Sequence, residues 1–235
     1  MRDTDADWRQ LGASEPYWGV LTHPSYLAAN LTPEAIDGFY ATGREYIDGV
    51  VGKLAATTGA RPAGRALDFG CGAGRLAEAM CDHAAEVTGY DISPGMLEKA
   101  RGRGGRATYT DVLPDGPFDW LNSFIVFQHI PPVRGLALMA ELLRRLAPGG
   151  HVSLQVTVWR EPHLEPARTR GWRRLAAPLL HRLRRDLPTG AIHMYDYDLS
   201  TVVKLLNQAG VEQLTLVPTD HGGHHGVIIL GRKSA

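Results

Sequence analysis

The stretch Ala66-Leu-Asp-Phe-Gly-Cys-Gly-Ala-Gly-Arg75 decides how this chain is read. A short apolar run ends in an acid, Asp68, and three alternating glycines, and Leu76-Ala-Glu-Ala-Met80 then continues as a helix. Gly70, Gly72 and Gly74 carry no side chain, so the backbone turns sharply and a ligand can approach main-chain N–H groups at a helix start. That is the arrangement of a strand, a nucleotide-binding turn and a helix. The spacing restricts the ligand further. A dinucleotide fingerprint requires G-x-G-x-x-G, but here the third glycine arrives one residue early and Arg75 fills its place. The departure counts against nicotinamide cofactors and against a nucleotide-dependent oxidoreductase.

Two more acids follow. Ala85-Glu-Val-Thr-Gly-Tyr-Asp91 reads as a second strand ending in a carboxylate, at the interval where such folds set an acid against a ribose diol. A carboxylate only accepts hydrogen bonds and suits that partner. Asp91 also precedes Ile92-Ser93-Pro94, a helix-start signal, so capping is open to it as well. Ala107-Thr-Tyr-Thr-Asp111 puts a third acid after a third short strand, although Asp111-Val-Leu-Pro-Asp-Gly-Pro117 is turn-forming and Asp111 can simply organise that turn.

With Asp68 in the acidic position, the pattern E/D-x-G-x-G-x-G resembles motif I of the class I methyltransferases that use S-adenosylmethionine (SAM), and Asp91 and Asp111 come in the order that family leads one to expect. Leu146-Ala-Pro-Gly-Gly150 matches a turn frequent in the same family before a strand. The resemblance implies an α/β fold: a doubly wound, mostly parallel, seven-stranded Rossmann-like sheet with an N-terminal helical extension and a helical lid insertion after strand five. It implies SAM as cofactor and S-adenosylhomocysteine (SAH) as product, held by Asp68, Gly70, Cys71, Gly72, Gly74, Arg75, Asp91, Ile92, Met96, Asp111, Val112 and Phe127. In that family the acid at position 111 usually meets the adenine amino group.

Composition bounds the alternatives. The chain has 235 residues with 44% hydrophobic content, enough for one α/β domain with additions. Twenty-five basic and 25 acidic residues cancel, so nothing global points to nucleic acid. Cys71 and Cys81 are too few for a disulfide framework and fit a reducing cytoplasm. No apolar run approaches the roughly 18 to 20 residues of a membrane helix, and Met1 to Asp7 is polar rather than signal-like. Arginine outnumbers lysine, which hints at a GC-rich bacterial genome.

The pattern divides the chain into an N-terminal helical cap, residues 1–60, and a binding domain, residues 61–235. Thr32-Pro33-Glu34 signals a helix start, and the helix it opens carries Tyr40 and Arg44 four residues apart, where both could face the ligand or Tyr40 could pack in the core. Strands are expected near 65–69, 86–90, 107–109, 118–126 and 151–158, with an amphipathic helix from Val133 to Leu146 stopped by Pro148-Gly149-Gly150. Residues 159–195 form an arginine-rich amphipathic insertion with leucines at helical spacing, expected as a lid, an oligomer contact in a possible homodimer, or a solvated face over buried leucines. Leu199 to Ala209 reads as a helix, and Val211–Val217 and Val227–Gly231 as a terminal hairpin.

Methyl transfer from a sulfonium needs an acceptor atom held in line and water kept out, and a hydroxyl or amine acceptor must also lose a proton. His129, expected at the end of strand four, is the first candidate base, or else a histidine bonded to backbone there. His193 and Tyr195 are the second candidates, facing the acceptor if their segment is extended. Asp220, His221, His224 and His225 invite a metal, but Gly222-Gly223 already explains that segment as a turn, and no metal is expected. The function expected is methyl transfer to oxygen or nitrogen of a small molecule. Its alternatives are an RNA or protein methyltransferase using the arginine-rich insertion, and a catalytically silent SAM-binding protein.

Overall fold

In a computed structural model, residues 4–164 and 192–235 are described. Seven strands form one sheet in the order β3-β2-β1-β4-β5-β7-β6. They are β1 (Arg65–Phe69), β2 (Glu86–Tyr90), β3 (Thr108–Thr110), β4 (Phe118–Ser123), β5 (Leu146–Arg160), β6 (Val211–Asp220) and β7 (His224–Lys233). Strands β1 to β5 pair in parallel, and β7 inserts antiparallel between β5 and β6. This is the doubly wound, mostly parallel sheet expected from the sequence.

Alternation within the strands builds two cores. Leu67, Phe69 and Ile229 face one side, where α6 (Pro132–Arg144) and α7 (Leu199–Gln208) bury Met139, Leu142, Val202 and Leu206. Ala66, Ile228 and Leu230 face the other, beneath α3 (Pro33–Thr58), α4 (Arg75–Met80) and α5 (Pro94–Gly102). Each fully buried aliphatic side chain contributes roughly 1.5–3 kcal/mol. The second half of α3 belongs to this core, since Ile47, Val50 and Leu54 pack with Met80 and Trp120. Thr32 caps α3, its hydroxyl accepting from the Ala35 N–H at 3.2 Å, and Gly59 ends it in the left-handed conformation.

Three expected boundaries shift for local reasons. Strand β4 stops at Ser123, because Ile125 turns into the left-handed region with φ of 59°. The Pro148-Gly149-Gly150 stop lies inside β5: Phe118 pairs with Leu146 and Trp120 already with His151, so the intervening residues bulge out of the ladder. The terminal strands are longer than expected, each running ten residues.

The N-terminal region begins with a helix the sequence pattern did not announce, α1 (Thr4–Ser14), followed by α2 (Pro16–Val20) and two short 3-10 turns. Gly12 of α1 lies so close to α5 that a β-carbon there would stand 2.1 Å from Ser93 Oγ and 3.2 Å from the Met96 nitrogen. Of the expected insertion, residues 165–191 lie outside the described residues, and with them the lid and its arginines. No helix among the described residues is long and apolar enough to cross a membrane.

Candidate functional site

The strand order reverses between β1 and β4, the switch point where open α/β sheets bind ligands beyond the carboxyl ends of their strands. A cavity of about 890 Å³, counting its open mouth, lies there. The glycine turn, the end of β2, the turn after β4 and the N-terminal helices α1 and α2 enclose it.

The glycine turn is fastened to β2. The N–H groups of Gly70 and Cys71 both donate to the Tyr90 carbonyl, at 2.8 and 2.9 Å. Asp91 completes the bracket, one carboxylate oxygen accepting from the Gly72 N–H at 2.9 Å and the other from the Ser93 N–H at 2.8 Å. Asp91 thus caps the entry to α5 and lines the cavity at once. Burial raises its carboxyl above the usual range, and these backbone bonds oppose the rise. Gly72 has φ of 53°, and a β-carbon on it would stand 2.6 Å from Val20 at the end of α2.

Beneath the turn lies a buried charged pair. Asp68 is 2% exposed, and Oδ1 accepts from Asn122 at 2.8 Å, while Oδ2 has no hydrogen-bond partner. Asn122 is held in turn by Ser153 at 2.6 Å, and Ser153 by the Trp120 indole at 3.0 Å. Burial pushes the Asp68 carboxyl up to about 6 against the pull of the Asn122 bond and the Arg75 charge. Arg75 opens α4 and lines the cavity, 5% exposed, with Nη1 donating to Thr42 at 3.3 Å and Nε buried without a partner. Opposite charges, each with an unused polar atom, therefore sit beside the glycine turn, Arg75 in the cavity wall and Asp68 buried behind it.

At the opposite wall a directed chain of hydrogen bonds fixes His129. Ile125 N–H donates to Gln155 Oε1 at 3.1 Å, so Gln155 Nε2 is the end that donates to Gln128 Oε1 at 3.3 Å. Thr157 donates to the same oxygen at 3.0 Å. Gln128 Nε2 then faces His129 Nε2 at 3.2 Å, which must accept, and His129 Nδ1 carries the proton that it donates to the His193 carbonyl at 2.8 Å. Ile125 itself is a β-branched residue in the left-handed region, a conformation costing about 1–3 kcal/mol.

This arrangement bears on both roles expected of His129, a base or a histidine bonded to backbone. Its ring lines the cavity, packed against Trp8 at 4.8 Å between centroids, but both nitrogens are engaged and burial pushes it down to about 4. In this structure both ring nitrogens therefore meet protein partners. His193 and Tyr195 contribute backbone rather than side chain here. Tyr195 N–H donates to the Gln128 carbonyl at 2.6 Å, its ring packs on the core, and neither side chain lines the cavity.

Of the other expected ligand-facing residues, Gly70, Ile92 and Met96 lie in the cavity wall. Cys71 and Gly74 sit behind the turn, and Phe127 is wholly buried, stacked on Phe69 at 5.7 Å. Asp111 and Val112 are exposed outside the wall, where a loop rich in turn formers carries them. Tyr40 and Arg44 line a separate cleft on the far side of the glycine turn, where the Tyr40 hydroxyl donates to the Ala73 carbonyl at 2.8 Å. Within the expected N-terminal cap, the sequence reading did not single out the wall residues that α1 supplies: Asp5 and Trp8 reach across to Arg134 and His129. In the terminal hairpin Asp220 accepts from the Gly223 N–H at 2.7 Å, and no group of three or more metal-ligating side chains converges among the described residues.

Residues 67–154 match the family described as "Methyltransferase domain". A trans-aconitate 2-methyltransferase of Streptomyces coelicolor is 39% identical over 106 residues, 39% of this chain and 34% of that protein. A ubiquinone biosynthesis O-methyltransferase of Alkalilimnicola ehrlichii is 36% identical over 100 residues, 37% of this chain and 40% of its own length. The matched segments thus span well under half of these relatives. In fold, the chain resembles magnesium protoporphyrin IX methyltransferase from Synechocystis PCC 6803 with bound SAH, at a TM-score of 0.65 and 19% identity, covering 99% of this chain and 100% of the other.

Proposed function

We propose that this chain, a class I SAM-dependent methyltransferase by its domain and fold, transfers the methyl group of SAM to an oxygen or nitrogen of a small-molecule acceptor. The observation that carries this reading is the set of unused polar atoms around the glycine turn. SAM is a zwitterionic amino acid joined to a nucleoside, and Asp68 Oδ2 and Arg75 Nε offer a buried acceptor and donor for its ammonium and carboxylate. Asp91 suits the ribose hydroxyls, and Ile92 and Met96 give an apolar flank for a base. When bound, the cofactor supplies a methyl group activated by the sulfonium.

The chain's own residues then act by positioning and by excluding water. Trp8, Val20 and Phe124 close the cavity with apolar surface, and the strained turn at Ile125 forms the wall at the end of β4. In-line displacement gains most from such orientation. His129 holds that wall and moves no proton. The test is transfer of a labelled methyl from SAM to a panel of carboxylates, phenols and amines. Label in an extracted small molecule supports the proposal; label in RNA or protein alone favours macromolecular transfer, and SAM binding without transfer to any acceptor favours a silent binding protein.

A further inference from the structure

We propose that Gln155, in the middle of β5, is a positioning residue whose side-chain carbonyl holds the Ile125 peptide in the left-handed turn that walls the cofactor cavity. The assignment of a cofactor to that cavity is the one proposed above. Ile125 lines the cavity between Phe124 and Val126, and its φ of 59° is one that a β-branched side chain rarely adopts unaided. Neither glycine nor asparagine, the residues that take this conformation readily, stands at position 125. The restraint comes instead from the sheet below: Gln155 Oε1 accepts the Ile125 N–H at 3.1 Å.

Gln155 is wholly buried and its orientation is not free. Its Nε2 is committed to Gln128 Oε1, which Thr157 also bonds, so only the carbonyl end can meet Ile125. The same unit anchors the chain where it returns from the insertion. The Gln128 carbonyl accepts from Tyr195 N–H at 2.6 Å and the Thr157 carbonyl from Tyr197 N–H at 2.7 Å, while the Tyr197 hydroxyl donates to the Ile130 carbonyl at 2.8 Å. The cavity wall and residues 193–197 therefore meet at Gln128, whose side chain bonds Gln155 and whose main-chain carbonyl accepts from Tyr195. A glutamine that merely filled the core would have no need of a strained partner.

The experiment is SAH titration by calorimetry on Gln155→Met, Ile125→Gly and the double variant. Methionine keeps the length of the side chain and removes the carbonyl. Gln155→Met is expected to weaken SAH binding about tenfold or more, with circular dichroism unchanged, because the unheld turn relaxes out of the left-handed region. Glycine takes that region without help, so the double variant is expected to recover to within about threefold of the wild type. Wild-type affinity in Gln155→Met, or a double variant no better than it, overturns the proposal. Hydrogen exchange reads the same bond with no ligand and no variant. The Ile125 amide of the wild-type protein is expected to be protected, and exchange at an open-loop rate overturns the proposal even if Gln155→Met fails to fold. A wild-type chain that binds no SAH would instead defeat the cofactor assignment, and the exchange measurement would still decide the role of Gln155.

Discussion

Asp5 of α1 grips Arg134 of α6 through two parallel bonds of 2.7 Å, joining the first helix to the opposite rim of the cofactor cavity. Both side chains line that cavity, so the pair ties α1 to α6 in its wall. The groups are partly exposed, and such pairs contribute about 0.2–1 kcal/mol. Replacing Asp5 by Asn is expected to speed SAH release by roughly two- to fivefold, with a smaller difference in high salt. Stopped-flow displacement of bound SAH at two ionic strengths checks both expectations.

Asp68 couples binding to pH. Its folded value of about 6 lies above the ordinary 3.8, so the folded state holds the proton more tightly than the unfolded one. The resulting stabilisation is complete below about pH 4 and is lost as the pH rises through 6; by neutral pH the ionised carboxylate costs on the order of 3 kcal/mol. Asp68→Asn is therefore expected to raise the melting temperature of the unliganded protein at pH 7.5. The same change removes the counter-charge for an ammonium group, so SAH affinity should fall at least about tenfold. Calorimetry and thermal melts on one preparation test the opposite signs together.

His129 behaves in the reverse sense. Burial lowers it to about 4, so the unfolded state binds its proton more readily, and the stability it gives above pH 6.5 is lost as the pH falls toward 4. Denaturant unfolding of His129→Gln is expected to show lower stability at pH 7 and a shallower loss between pH 6.5 and 4.5. A pH–rate profile for methyl transfer should keep its shape in this variant, because the ring has no free nitrogen for the acceptor proton.

Gly72→Ala tests the closed turn. Its φ of 53° and the 2.6 Å approach of Val20 leave no room for a methyl group. The substitution is expected to destabilise the protein by about 1–2 kcal/mol and to weaken SAH binding beyond easy measurement, as read by melts and calorimetry.

Much of the fold was legible because its signals are local. Strands β1 and β2 fall where the apolar runs ending at Phe69 and Tyr90 put them, and Thr32-Pro33 starts α3 where the capping chemistry says. The turn at Gly70 to Gly74 was legible for the same reason, since all three glycines have positive φ. Where tertiary contact overrides local pattern, the sequence misled. Phe124-Ile-Val-Phe127 is an unbroken apolar run and reads as strand, yet a bond from Gln155, thirty residues on, holds Ile125 out of it. Helix α1 carries little apolar periodicity; its placement comes from Gly12 against α5 and from the distant Arg134. For His129 the sequence gives residue type and position but not the partners of its two nitrogens, so base and backbone-bonded histidine stayed open there. Tyr40 was legible as helical, but whether it faced the cavity or the cleft behind the turn depended on how α3 docks against α4.

In the function proposed above, the cavity between β1 and β4 takes SAM with Asp91 as the ribose acid. Titrating the purified chain with SAH and, separately, with NAD, alongside the Asp91→Ala variant, tests it most directly. Saturable one-to-one SAH binding that Asp91→Ala weakens at least about tenfold, with no heat from NAD, is the predicted result. No SAH binding by the wild-type chain, or equal binding by the variant, would contradict it.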